Sequence, residues 1–129
     1  MGNMAKQKGK RGEREFAEVL TRLLARDPSW EDQKIFVDVQ ANGGDIISVT
    51  GLSIEVKRQE TLNIKTWWRQ TQIQADHTGG IPVLAYRQNR RAWKIILPAY
   101  LISVPITGYM EVELEVFGQW LLHFVRTDV

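Results

Sequence analysis

Gly44-Asp45-Ile46-Ile47-Ser48-Val49-Thr50-Gly51-Leu52-Ser53-Ile54-Glu55-Val56-Lys57-Arg58 holds two apolar segments, 45–49 and 52–57, parted by Thr50-Gly51. Short apolar runs around a Gly-containing turn predict two strands joined as a hairpin. Alternate strand residues share a face, so Glu55 and Lys57 point one way while Ile54 and Val56 point the other, into a core. Charges on a central strand are costly to bury without a purpose. The plainer account is a surface ion pair on an edge strand. Whether Asp45 joins them depends on register. A two-residue loop sets Asp45 opposite Val56, on the wrong face, whereas a three-residue loop sets it opposite Lys57.

The flanking sequence places this segment in an α/β domain. Upstream, Ala41-Asn42-Gly43-Gly44 is a turn and Ile35 to Val39 a short strand. Before these, the stretch opened by Gly12 carries Phe16, Leu20, Leu23 and Leu24 at helical spacing, with Glu15, Glu18, Arg22 and Arg26 elsewhere on the wheel, and Asp27-Pro28 ends it. Downstream, 62–78 reads as a helix with Ile64, Trp67, Trp68, Thr71 and Ala75 on one face, closed by Gly79-Gly80. Strands at 81–87 and 92–97 follow, joined by the polar turn 88–91. After Pro98 the pattern is weaker. Residues 109–116 alternate as a one-faced strand, and about 115–126 could equally be a closing helix with Val116, Trp120 and Phe124 at helical spacing. The expected architecture is a mixed central β-sheet flanked by helices.

At 129 residues the chain reads as one domain, 12–129, preceded by a basic flexible arm, 1–11. No apolar run approaches the ~20 residues that span a bilayer, so no membrane partner is expected. The absence of cysteine excludes disulfides and thiolate ligands and fits a cytoplasmic location. Charge is unevenly placed. Residues 1–97 hold 16 of the 17 Lys and Arg and carry +5, whereas 98–129 carry −3. A basic body suggests a polyanionic partner, although a modest positive charge also serves solubility alone.

Glu13 sits at the centre of the stripe made by Phe16, Leu20 and Leu24. Dipole stabilisation explains a glutamate in a first helical turn, but not one facing inward. If Glu13, Asp45 and Glu55 converge, each pair repels by roughly 3–4 kcal/mol at an effective dielectric near 20. A divalent cation removes that conflict, and an all-oxygen set favours Mg2+ or Mn2+. Asp45, Glu55 and the Val56 carbonyl would hold it, with Glu13 beside them. Lys57 would orient a nucleophile or neutralise developing charge.

The order Gly9, Glu13-Arg14-Glu15, Asp45 and Ile54-Glu55-Val56-Lys57 resembles the PD-(D/E)XK nuclease superfamily, and more narrowly the Holliday junction resolvases of archaea and their phage relatives. Gly79-Gly80-Ile81-Pro82-Val83-Leu84-Ala85-Tyr86-Arg87, with Trp93, is similar to the strand after the active-site helix in those enzymes. The likeness spans about 9–97. It implies a restriction-endonuclease-like fold and an active site of Glu13, Asp45, Glu55 and Lys57, with Gln70 as a further active-site residue or simply an exposed helix residue. It also implies a homodimer acting on four-way or branched DNA. Gly44 stands where the superfamily name has proline, and Gln40-Ala41-Asn42 lacks the serine that archaeal members often carry. The same chemistry on duplex, nicked or single-stranded DNA, and a non-catalytic DNA-binding module, are the alternatives.

Lys6, Lys8, Lys10, Arg11 and Arg14 are candidate phosphate contacts from the arm, and Arg58 and Arg69 extend them, as do Lys65, Arg87, Arg90 and Arg91. Basic termini are also often merely solvated. His77 and His123 show no metal-ligand spacing. Trp67 and Trp68 read as core and dimer-contact residues, and the apolar residues after 98 as a dimer surface or an ordinary cap.

Overall fold

The computed structural model describes the backbone of residues 2–25, 35–39, 45–49 and 51–127, and side chains at 12–23, 25 and 51–124. The element order is α1 (Gly2–Leu24), β1 (Ile35–Val39), β2 (Asp45–Val49), β3 (Leu52–Arg58), α2 (Ile64–Thr78), β4 (Ile81–Arg87), β5 (Lys94–Pro98), a short 3-10 turn at Ala99–Leu101, β6 (Tyr109–Glu113) and α3 (Leu114–Thr127). The expected turn at 41–44 and helix stop at Asp27-Pro28 lie outside the described residues.

β3, β4, β5 and β6 form a mixed sheet in that order, with β3 parallel to β4 and the remaining pairs antiparallel. β4 is buried on both faces, which explains its unbroken apolar run. Val83 and Ala85 join Ile95, Leu97, Trp93, Phe16, Leu20, Phe117 and Leu121 beneath α1 and α3. Leu84, Tyr86 and Ile96 meet Trp67 and Trp68 of α2 on the other face. Helices on both faces of a mixed sheet are the α/β architecture expected from the sequence. The β4–β5 ladder runs from Tyr86↔Lys94 to Leu84↔Ile96. Extending it would oppose Pro82 to Pro98, neither of which can donate a ladder hydrogen bond.

Glycine sets two approaches. Gly79 closes α2 in the left-handed region at φ 81, its N–H donating to the Ala75 carbonyl at 2.7 Å. At Gly80 a Cβ would lie 2.9 Å from the Leu52 carbonyl carbon, so only glycine lets the chain enter β4 this close to β3. The Thr71 hydroxyl, buried in α2, is satisfied by donating to the Trp67 carbonyl at 2.7 Å. No helix among the described residues is long and apolar enough to cross a membrane.

Two expectations are corrected. The helix expected from Gly12 begins at Gly2, so the basic stretch expected as a flexible arm is helical backbone from that residue on. Ala5, Lys6, Gln7, Lys8, Lys10 and Arg11 are good helix formers, and extension from a helix already anchored by Phe16 and Leu20 needs no new nucleus, which offsets the cost of about 1 kcal/mol at Gly9. The second correction concerns the hairpin. β2 pairs antiparallel with β1, from Ile35↔Val49 to Val39↔Asp45, and not with β3. Gly51, expected to close a β2–β3 hairpin, instead accepts a hydrogen bond from the Ile81 N–H at 2.9 Å. Its carbonyl is committed to the parallel ladder.

Candidate active site

Glu55 and Lys57 lie on one face of β3, as the period of two requires, with Lys57 Nζ 3.7 Å from Glu55 Oε1. Their cross-strand neighbours are Leu84 and Tyr86, which places the pair on the α2 side of the sheet. Side-chain exposure is 40% for Glu55 and 25% for Lys57, enough for both to be reached from solvent. Ile54 and Val56 pack on the opposite face against the α1–α3 core.

The ladder also aims the backbone. Gly51 O accepts from Ile81 N, and Gln59 N donates to Arg87 O. In a parallel pair these bonds recur on every second residue, so the peptide groups of 53, 55 and 57 turn toward β4. The Val56 carbonyl therefore points away from β4, on the outer side of the four-stranded sheet. A carboxylate, a lysine partner and an edge carbonyl form an all-oxygen donor set with a cation beside it, which suits a hard divalent ion.

Glu13 is half-buried in α1, on the stripe with Phe16, Ala17 and Leu20. Helix α1 packs on the face opposite Glu55 and Lys57, and it lies against both β2 and β3. β2 in turn touches β3. The strand that begins with Asp45 is thus adjacent to both other elements, while the Asp45 side chain lies outside the described residues. Among the described residues no three carboxylate or imidazole side chains gather into a metal cage. Gln70 and Arg69 are exposed on α2, and Arg14 is exposed on α1. The side chains of Lys6, Lys8, Lys10 and Arg11 lie outside the described residues.

Arg58 and Arg87, expected to extend the phosphate-binding surface, are both engaged by a carboxylate of the protein itself. Period-two alternation puts both on the α1 face, directly across from each other in the β3–β4 ladder. There Glu15 bridges them, Oε1 to Arg58 Nη1 at 2.8 Å and Oε2 to Arg87 Nη1 at 2.7 Å. Glu15 was expected on the charged side of the helix, away from the core stripe. The missed signal was Arg58 itself, since an arginine in phase with Ile54 and Val56 needs a carboxylate on whatever covers that face. Gly12 belongs to the same contact, because a Cβ there would fall 2.8 Å from the Arg58 Cβ.

On the α2 face, one strand from Lys57, a cleft of about 380 Å³ is lined by Leu62, Tyr86, Gln88, Arg91, Ala92 and Lys94. The Tyr86 hydroxyl donates to the Glu111 carboxylate.

A family model described as "Phage putative PDDEXK endonuclease" matches residues 4–114. The chain belongs to this family. The PD-(D/E)XK resemblance read from Glu13, Asp45 and Glu55-Val56-Lys57 is therefore that of a family member, and DNA is the substrate class that membership implies. Endonucleases of this kind typically use divalent metal ions. Among solved structures, the chain is similar to Hjc of Archaeoglobus fulgidus, described as a Holliday junction resolvase from an archaeal hyperthermophile. That likeness has 19% identity and a TM-score of 0.45, covering 87% of this chain and 88% of that one. No curated protein matches.

Proposed function

We propose that this PD-(D/E)XK family member is a divalent-metal-dependent endonuclease that cuts phosphodiester bonds in branched DNA. The observation that supports the catalytic reading is the Glu55–Lys57 pair, 3.7 Å apart on one face of β3, because membership of a PD-(D/E)XK family distinguishes it from an ordinary edge-strand ion pair. Glu55, the Val56 carbonyl, Asp45 and Glu13 are the groups that would hold the metal. When bound, Mg2+ or Mn2+ would supply Lewis acidity toward the scissile phosphate and the attacking water. Lys57 places its Nζ beside the carboxylate, where it can orient a water molecule or offset charge on the phosphate. Arg91 and Lys94 give the neighbouring cleft two cations for flanking phosphates. Choice of a branched substrate, and the homodimer that paired cuts require, rest on the sequence resemblance to junction resolvases.

The test compares cleavage of a four-way junction and a linear duplex in Mg2+ by wild type, Asp45→Asn and Lys57→Ala. Wild type is expected to prefer the junction, and each variant to lose about 100-fold or more in rate. Variants that cut as wild type does would reject the site. Equal cutting of both substrates would reject junction selectivity and leave the nuclease standing. Tight binding without cleavage by wild type would point to a non-catalytic DNA-binding module.

A further inference from the structure

We propose that Glu15 is a positioning residue, whose carboxylate bridges Arg58 and Arg87 to hold Glu13 against β3 and so sets the affinity of the site for its divalent metal. This rests on the catalytic reading above. The geometry begins with a conflict. Arg58 and Arg87 are in-register neighbours at the carboxyl ends of two parallel strands, with both side chains on the α1 face. Two guanidinium groups placed this way repel, and neither can shed its charge. Glu15 answers both, one carboxylate oxygen to each, at 2.8 and 2.7 Å. Side-chain exposures of 28% for Glu15, 16% for Arg58 and 27% for Arg87 put the triad well below the surface regime, where ion pairs do little.

Other guanidinium donors are taken up by exposed loop groups at the end of the two strands. Arg58 Nη2 donates to Asn89 Oδ1 at 3.2 Å, and Arg87 Nε to the Arg91 carbonyl at 2.9 Å. Asn89 N–H in turn donates to Glu60 Oε1 at 2.6 Å, tying the turn after β4 to the loop after β3. Arg58 Nε is buried with no hydrogen-bond partner among the described residues. Both arginines thus have partners within the protein. Helix α1 has no slack here, since Gly12 already brings it to van der Waals limits over Arg58. Glu13 stands between Gly12 and the Glu15 bridge, and Lys57 immediately precedes Arg58. Beside the packing of Phe16 and Leu20 near Ile54 and Val56, this carboxylate is the polar tie between the helix that bears Glu13 and the strand that bears Glu55 and Lys57.

The test titrates Mn2+ into DNA-free wild type, Glu15→Gln, Glu15→Asp and Arg87→Met by calorimetry, at a temperature where circular dichroism shows each variant folded. DNA affinity and its salt dependence are measured beside it without metal. Loss of an outer partner of a metal site typically weakens binding by 10–100-fold. Glu15→Gln is expected to bind Mn2+ about 10-fold more weakly, with Glu15→Asp recovering part of the loss through its retained charge, and with DNA affinity little changed. Wild-type Mn2+ affinity in Glu15→Gln would overturn the proposal, even with a lowered Tm. If Glu15→Gln does not fold, Arg87→Met decides. Weaker Mn2+ binding supports positioning, whereas unchanged Mn2+ binding, with lost DNA affinity and a salt slope reduced by about one, makes Arg87 a phosphate contact and overturns it. Failure of the catalytic reading is separately visible, because Lys57→Ala would then still cut.

Discussion

Tyr86 is the cross-strand neighbour of Lys57, yet its hydroxyl is directed away from the lysine, past β5 to the Glu111 carboxylate on β6. Burial first, then the hydrogen bond and charge of Glu111, push the phenol above its ordinary value of 10.0. The folded state thus holds the Tyr86 proton more tightly than the unfolded chain does. Its contribution to stability is complete below pH 10 and is lost as pH rises beyond it. Between pH 9 and 11.5, the Tm of wild type is expected to fall more steeply than that of Tyr86→Phe, which has no such proton to lose. Parallel slopes in thermal melts of the two proteins would show that the hydroxyl is not held in this way.

At the scale of elements, the β3–β4 pair is the axis of the site, and its spacing is set where the strands begin. A methyl at Gly80 would meet backbone atoms of Leu52 and Ser53 at 2.9 and 3.1 Å, and backbone cannot swing aside as a side chain can. Gly80→Ala is expected to lower stability by about 1–3 kcal/mol, the usual cost of forcing extra atoms into a packed contact. Chemical denaturation measures this directly, and an unchanged midpoint would mean that the strands separate freely. Elements whose signal is local were legible in the sequence. Residues 81–87 read as a strand because they are buried on both faces, α2 because its Trp67, Trp68, Thr71 and Ala75 recur at helical spacing, and the Glu55–Lys57 pair because a strand alternates. Pairings that depend on distant partners were not. Nothing near Gly51 announces that its carbonyl belongs to Ile81, and nothing near Glu15 announces Arg87, 72 residues away. Alternation reveals which residues share a face, but it leaves open which element will cover that face.

Among the described residues, most of the exposed large apolar side chains collect in one connection. Tyr100, Ile102, Val104, Ile106 and Tyr109, between β5 and the start of β6, are all at least 42% exposed, and Val104 reaches 78%. Large side chains left in water this close together suit the twofold contact that the homodimer proposal needs. Val104→Asp is expected to shift the protein from dimer to monomer in light scattering while leaving its circular dichroism unchanged. A wild type that is already monomeric would remove the dimer from the proposal.

The packing of α1 against α3 joins two segments far apart in the sequence. Phe117 and Leu121 of α3 are fully buried in the same cluster as Phe16 and Leu20 of α1, and a Cβ on Gly118 would come within 3.1 Å of Leu23. Segments about a hundred residues apart therefore share one apolar floor beneath the sheet. α1 and α3 act as a clasp: loss of either leaves part of the other's buried face open to water, and such a face invites aggregation.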